Sequence, residues 1–144
     1  MLIREIMTRD VEVVAPSDTI QRAAKLMDDL NVGVLPVCEG PKLVGLVTDR
    51  DITVRATSVG KSPSECKVAE VMTDDPRFCY EDDVVSDVSR LMGDMQIRRV
   101  PVLDNQDKLI GIVSLGDIAT DTDRAQSIAD TLGQVSEPSA PDRA

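Results

Sequence analysis

The chain has 144 residues, a formal net charge of −10 and no histidine. The acidic balance argues against broad nucleic-acid binding, which depends on Lys and Arg neutralising phosphates. The lack of imidazole removes histidine acid–base chemistry and histidine metal ligation. Tyr80 and Phe78 are the only aromatic residues and Trp is absent, so the core must come from Val, Ile, Leu, Met and Ala. The opening MLIREIMTRD has no secretory apolar run, and no apolar stretch approaches membrane-spanning length. The expectation is a cytoplasmic protein with no membrane segment.

Val11 and Val13 alternate with Glu12 and predict a short half-buried strand ending at Pro16. Asp18 is placed to cap a helix, with Gln21 closing a capping box. That helix carries an apolar face of Ile20, Ala23, Ala24, Met27 and Leu30. Two apolar runs follow, Val34 to Cys38 and Leu43 to Thr48, joined by Glu39-Gly40-Pro41-Lys42, and predict a hairpin. Thr48-Asp49-Arg50-Asp51 then opens a helix covering Ile52, Val54 and Ala56.

Residues 71–118 repeat the pattern of residues 6–52. Met7 lies over Met72, Thr8 over Thr73, Asp18 over Asp83, Met27 over Met92 and Pro36 over Pro101. One extra residue in the second hairpin then places Gly45 over Gly111 and Asp51 over Asp117. The second helix is expected from Asp83 with Val84, Val88, Leu91, Met92 and Met95 facing inward. The second hairpin runs from Arg99 to Leu103 and from Leu109 to Val113. The last helix opens with Ser114-Leu115-Gly116-Asp117 and is expected to run through Ile128 and Leu132 to a stop at Gly133. The runs VLPV and RVPV each hold a proline, which predicts strands at an edge or starting there.

The fold class is therefore α/β (α+β): two pseudo-twofold-related β-α-β-β-α repeats packed as one module. The boundaries read 6–57 for the first repeat, 58–70 for a linker, 71–132 for the second repeat and 133–144 for a disordered tail. A repeat of about 48 residues is small for an independent core, so the copies are expected to bury apolar faces against each other. A cleft at their shared face would be lined twice by one motif and predicts two related small-molecule sites. Cys38, Cys66 and Cys79 fit no metal spacing and are expected to be free thiols. Cys38 and Cys79 sit in apolar strands and read as core filler; Cys66, in the polar linker, is the expected exposed thiol.

The doubled T/S-x-x-D is the main chemical signal. Ser or Thr with an acid three residues later is itself a capping box. Here it occurs at equivalent points of both copies, each after an apolar strand containing glycine (GLVTDRD and GIVSLGD). Glycine permits close backbone approach. An aspartate at a helix N-terminus can accept both hydroxyls of a ribose, while the helix end favours negative charge. No base or nucleophile completes a catalytic set. Arg98-Arg99 precedes VPV and suits bidentate phosphate binding. Gly33-Val34 stands there in the first copy, so the two sites cannot be equivalent.

In combination, MT near each start, PV after the first helix and G-h-V-[TS]-x-x-D-I, all doubled, resemble the CBS domain pair, or Bateman module. The resemblance covers the chain from IMT to GDI. It is similar to small stand-alone bacterial CBS-pair proteins, and to the regulatory insert of IMP dehydrogenase. It implies a dimer of pairs and adenosine-ligand binding between repeats. The carry-over crosses the copies. One site would take Asp117 and Ser114 for ribose, Arg98 and Arg99 for phosphate, Thr8 on its wall, and Val13, Val32 and Gly33 beside adenine. The other would take Asp51, Thr48, Thr73, Phe78 and Ile97, with Arg50 as phosphate partner. The reading is a non-enzymatic ligand-sensing module for AMP, ADP or ATP, acting as a homodimer or on an unidentified protein partner. It needs no metal or cofactor. The alternative is a scaffold with vestigial sites.

Overall fold

The computed structural model describes residues 1–120 and 132–135. A single 3-10 turn at Ile3–Glu5 leads to β1 (Thr8–Arg9), α1 (Ile20–Leu30), β2 (Val34–Glu39), β3 (Lys42–Thr48) and α2 (Asp49–Arg55). Two further 3-10 turns, Thr57–Val59 and Val68–Glu70, precede β4 (Cys79–Tyr80), α3 (Val85–Met95), β5 (Arg99–Leu103), β6 (Leu109–Ser114) and α4 (Leu115–Ala119). The mixed helix and strand content is that of an α+β chain. Residues 132–135 are also helical, so Gly133 is not a helix stop and the tail expected from 133 begins with ordered structure. The expected path through Ile128, and residues 136–144, lie outside the described residues.

The compact units are not the sequence repeats. The first-copy unit comprises Val11–Arg77 and Asp107–Leu109, and the second-copy unit comprises Met1–Asp10, Phe78–Gln106 and Ile110–Ala144. Each unit thus takes the leader segment that precedes the other copy. In the second-copy unit, Ile3 N donates to Asp83 O (2.9 Å) and Arg4 N to Glu81 O (3.0 Å). The linker does the same in the first-copy unit, where Val68 N donates to Asp18 O (2.8 Å) and Ala69 N to Pro16 O (3.0 Å). Burial follows the bonds. Ile3 joins a core with Val85, Val88, Met92, Val100, Val102, Val113 and Ile118. Val68 and Val71 join a core with Ile20, Ala23, Met27, Leu35, Val37 and Val47. A copy of this size gains its missing layer from these leader residues.

The expected strand at Val11 to Val13 is reduced to one parallel bridge, Val14↔Val37. Pro36 supplies the reason. Its carbonyl accepts from Val14 N (3.1 Å) and Cys38 N donates to Val14 O (2.9 Å). In that register the next donor would be the nitrogen of Pro36, which has no hydrogen. Pairing therefore cannot extend back to Glu12. Pro101 acts likewise beside β4, whose ladder begins at Cys79↔Val102. β5 is consequently interior, in the order β1-β6-β5-β4, and not the edge strand its proline suggested. The first hairpin forms as expected, with Gly40 at φ +58 in its turn.

Asp18 is not the cap of α1. Thr19 holds that position, its hydroxyl accepting from Arg22 N at 3.2 Å. Asp18 Oδ2 instead accepts from Ala15 N (2.8 Å), and Asp83 Oδ2 from Tyr80 N (2.9 Å), closing the turn ahead of each helix. Gln21 closes no box; its backbone nitrogen donates to Pro63 O. The cap of α3 is Val84, which makes no side-chain bond. Ala24, Leu30, Val54 and Val84 are exposed rather than core.

All three cysteines are free and buried. Cys66, expected to be exposed, is 4 % accessible and sits in the first-copy core. The linker's bonds to α1, including Ile20 N to Cys66 O (2.9 Å), place it there. Burial pushes the thiol of Cys38 up to about 11 and that of Cys79 up to about 12. Cys66 is raised too, by burial first and by the Glu70 charge.

Candidate functional site

In the second-copy unit, β6 delivers Ser114 to the start of α4. Ser114 is extended (φ −111, ψ 161), and its Oγ accepts from Asp117 N at 3.0 Å. Asp117 Oδ2 accepts in return from Ser114 N at 2.8 Å. The motif is a reciprocal capping box. β1 pairs with β6 through Thr8↔Ile112 and Arg9↔Gly111. A Cβ at Gly111 would lie 2.5 Å from the Thr8 carbonyl oxygen, so glycine admits the chain's own Met-Thr segment. At the other side of β6, Leu115 N donates to Arg98 O (2.8 Å), which fixes the two arginines beside the turn.

A concavity of about 370 Å³ opens there, lined by Arg98, Arg99, Ser114, Leu115, Gly116, Ala119 and Leu132. Arg98 and Arg99 are exposed. The ion pairs among the described residues use Arg4, Arg22, Arg55 and Lys61, and neither of these two guanidinium groups. Asp117 is half-buried behind Ser114 and does not line the concavity; nor does Thr8.

The first-copy unit has the same turn with different charge. Thr48 Oγ1 accepts from Asp51 N and Asp51 Oδ2 from Thr48 N, both at 3.0 Å. Arg55 Nε stands 4.0 Å from Asp51 Oδ1. Thr73 is brought to β3 by its bridge with Leu46. Asp49 N donates to Gly33 O (3.0 Å), the counterpart of the Leu115–Arg98 bond. Here, however, the Asp49 carboxylate fills the space, 3.1 Å from where a Gly33 Cβ would be. The adjoining concavity, about 260 Å³, is lined by Ala24, Met27, Asp28, Val32, Asp49, Ile52 and Thr53. Arg50 is exposed and outside this lining.

The predicted sets divide between the units. Thr8, Arg98, Arg99, Ser114 and Asp117 belong to the second-copy unit, while Val13, Val32 and Gly33 belong to the first. Thr48, Arg50, Asp51 and Thr73 belong to the first-copy unit, while Phe78 and Ile97 belong to the second. Phe78 is exposed and meets Tyr80 edge-to-face at 5.6 Å; Ile97 packs against the second-copy core. Sequence reading missed Asp49 and Leu115. Both are variable positions inside T/S-x-x-D, and aligning the two copies there exposes the charge difference. Leu132 is read in the sequence only as a position on the last helix, with no signal there for the site. Among the described residues, no group of three or more Cys, Asp or Glu is placed to hold a metal ion, and no helix is long and apolar enough to cross a membrane.

Two copies of one strand-helix-hairpin-helix repeat, each with a capped strand-to-helix turn, define a tandem-repeat module. The family model described as "CBS domain" matches residues 3–56 and 68–121, and the chain belongs to that family as a tandem pair. It is 40 % identical over 134 residues to the CBS domain-containing protein YhcV of Bacillus subtilis (strain 168), covering 93 % of this chain and 94 % of YhcV. It is similar to the crystal structure of CBSX2 in complex with AMP: TM-score 0.72, 28 % identity, 87 % of this chain and 98 % of that one. It is also similar to the CBS domain pair of protein MJ0100 in complex with methylthioadenosine and S-adenosyl-L-methionine. That match has TM-score 0.70 and 32 % identity, over 83 % of this chain and 98 % of that one.

Proposed function

We propose that this chain is a regulatory, non-enzymatic module that binds an adenosine-type nucleotide. The phosphate would lie on Arg98 and Arg99 and a ribose hydroxyl on Ser114, which Asp117, outside the lining, holds through the capping box. The observation that carries the reading is the pair of exposed guanidinium groups beside Ser114 in one concavity, without an acidic partner among the described residues. Paired arginines without a carboxylate partner suit a planar, bidentate anion. The similarity to CBS pairs solved with AMP and with S-adenosyl-L-methionine supports an adenosine ligand. A phosphorylated ligand, AMP, ADP or ATP, fits the arginines best. The first-copy unit presents Asp49 and Asp28 instead and favours phosphate less.

The rival reading is a scaffold whose sites are vestigial. It draws on the capping boxes, which account for Asp51 and Asp117 without any ligand. A thermal-shift panel with an extrinsic dye separates the two. Ligand at about a hundred times its dissociation constant adds about 2.7 kcal/mol, a rise of roughly 5–10 °C for a chain of this size. If millimolar AMP, ADP and ATP all leave the melting curve unmoved, the scaffold reading stands.

A further inference from the structure

The second-copy concavity has a wall from beyond the doubled stretch 71–118. Leu132 lines it, from the helical turn at 132–135. Leu132 is 44 % exposed, an apolar side chain at the mouth of a site whose other end is cationic. The turn is seated on α3 by two contacts. Gln96 Nε2 donates to Gln134 O at 3.2 Å. Gln134 also lays its side chain over Gly93, where a Cβ would meet Gln134 Oε1 at 1.8 Å and its amide carbon at 3.0 Å. Gly93 is buried in this seat. At the corresponding position the first copy carries Asp28, which is exposed.

We propose that the C-terminal turn is a ligand-coupled clip of the second-copy site. Docked on Gly93 and Gln96, it presents Leu132 as an apolar wall to the flat face of a bound base or sugar, while Arg98 and Arg99 take the anion. Ligand then stabilises the docked turn, and the docked turn raises affinity by the same factor, because coupling between two equilibria is reciprocal. Occupancy of the site is thereby transmitted to the C-terminal segment. The first-copy unit cannot be clipped in this way, since Asp28 stands where the seat needs glycine. The inference rests on the nucleotide reading above for its ligand, but the seat itself does not.

The test uses the full chain, AMP as probe, and two variants. Gly93→Asp copies the first repeat's residue, which that repeat's helix already accommodates, so the fold should tolerate it while Gln134 is displaced. Leu132→Ala removes the wall and keeps the seat. Without ligand, amide hydrogen exchange in residues 132–135 should be faster in Gly93→Asp than in wild type. With AMP, exchange there should slow in wild type. By calorimetry, Leu132→Ala should weaken AMP by about five-fold, the scale of partly uncovering one aliphatic side chain, and Gly93→Asp by at least as much. AMP binding that neither variant changes overturns the coupling alone. Equal exchange in wild type and Gly93→Asp overturns the seat. No binding of AMP, ADP or ATP to the wild type overturns the coupling together with the nucleotide reading.

Discussion

Gly111 and Gly116 lie five residues apart in one strand-to-helix turn, yet alanine should have opposite effects at the two. A Cβ at Gly111 would stand 2.5 Å from the Thr8 carbonyl oxygen and 3.3 Å from its carbon, where ordinary contact begins near 3.4 Å. The obstacle is backbone, so no rotamer change relieves it. β1 must move by most of an ångström, and the Thr8↔Ile112 pairing must loosen. Overpacking of this kind costs about 1–3 kcal/mol, and each weakened hydrogen bond adds up to about 1 kcal/mol. At this size a loss of about 2–4 kcal/mol lowers the melting temperature by roughly 6–12 °C. Gly45→Ala should behave alike, its Cβ falling 2.6 Å from the Thr73 carbonyl that Leu46 N uses at 3.0 Å. Gly116 is the control. Among the described residues its Cβ would meet only Ser114 Oγ, at 3.6 Å, and alanine in a helix gains up to about 1 kcal/mol over glycine. Thermal melts followed by far-ultraviolet circular dichroism measure all three. A Gly111→Ala protein melting within about 1 °C of wild type would refute the close-approach argument.

Arg99→Ala should weaken AMP much more than adenosine, because only the phosphate contact is removed, whereas Asp117→Ala should weaken both; calorimetry showing two identical wild-type sites would contradict the asymmetry between Arg98-Arg99 and Gly33-Val34. The Cys38 and Cys79 thiols, ordinarily at 9.0 and raised by burial to about 11 and 12, keep their protons longer folded than unfolded. Their stabilisation is therefore complete below pH 9.0 and lost as pH rises towards 11 and 12; denaturation midpoints should fall over that window, and fall less in Cys38→Ala/Cys79→Ala. The exposed Leu30, Val54 and Val84 on or beside helices favour a homodimer formed through helices, which light scattering at micromolar concentration should report as twice the 15.6 kDa chain mass.

What was legible in the sequence was periodic or doubled. The hairpins, the helix positions and the capping geometry of T/S-x-x-D all depend on residues close in the chain, so local pattern sufficed. One error came from bonds that run from one copy to the leader of the other, and another from the parallel partner of the proline strands. Cys66 looked exposed because its neighbours are polar, and it is buried because Ile20 N and Val68 N tie the linker onto the first copy. The prolines of VLPV and RVPV suggested edges. The structure places β5 between two strands, while β2 pairs with β3 and meets a single parallel bridge at Val14; in both the proline stops the parallel partner, so pairing begins at Val14 and Cys79 where Glu12 and Arg77 cannot pair.

The same exchange explains why glycine matters in GLVTDRD and GIVSLGD. Close approach was expected for a ligand, and the group that approaches is the carbonyl of Thr73 or Thr8. Those threonines are thereby held beside the capped turns of Asp51 and Asp117 by the backbone itself. The positions that carry shape are thus matched in both copies: glycine on the strand, a threonine carbonyl against it, and a hydroxyl–carboxylate cap. The positions that carry charge are not, since Arg98 faces Leu115 where Gly33 faces Asp49. A repeat pair that keeps its scaffold symmetrical and its charges unequal can present one anion-accepting site and one that disfavours anions without any change of fold.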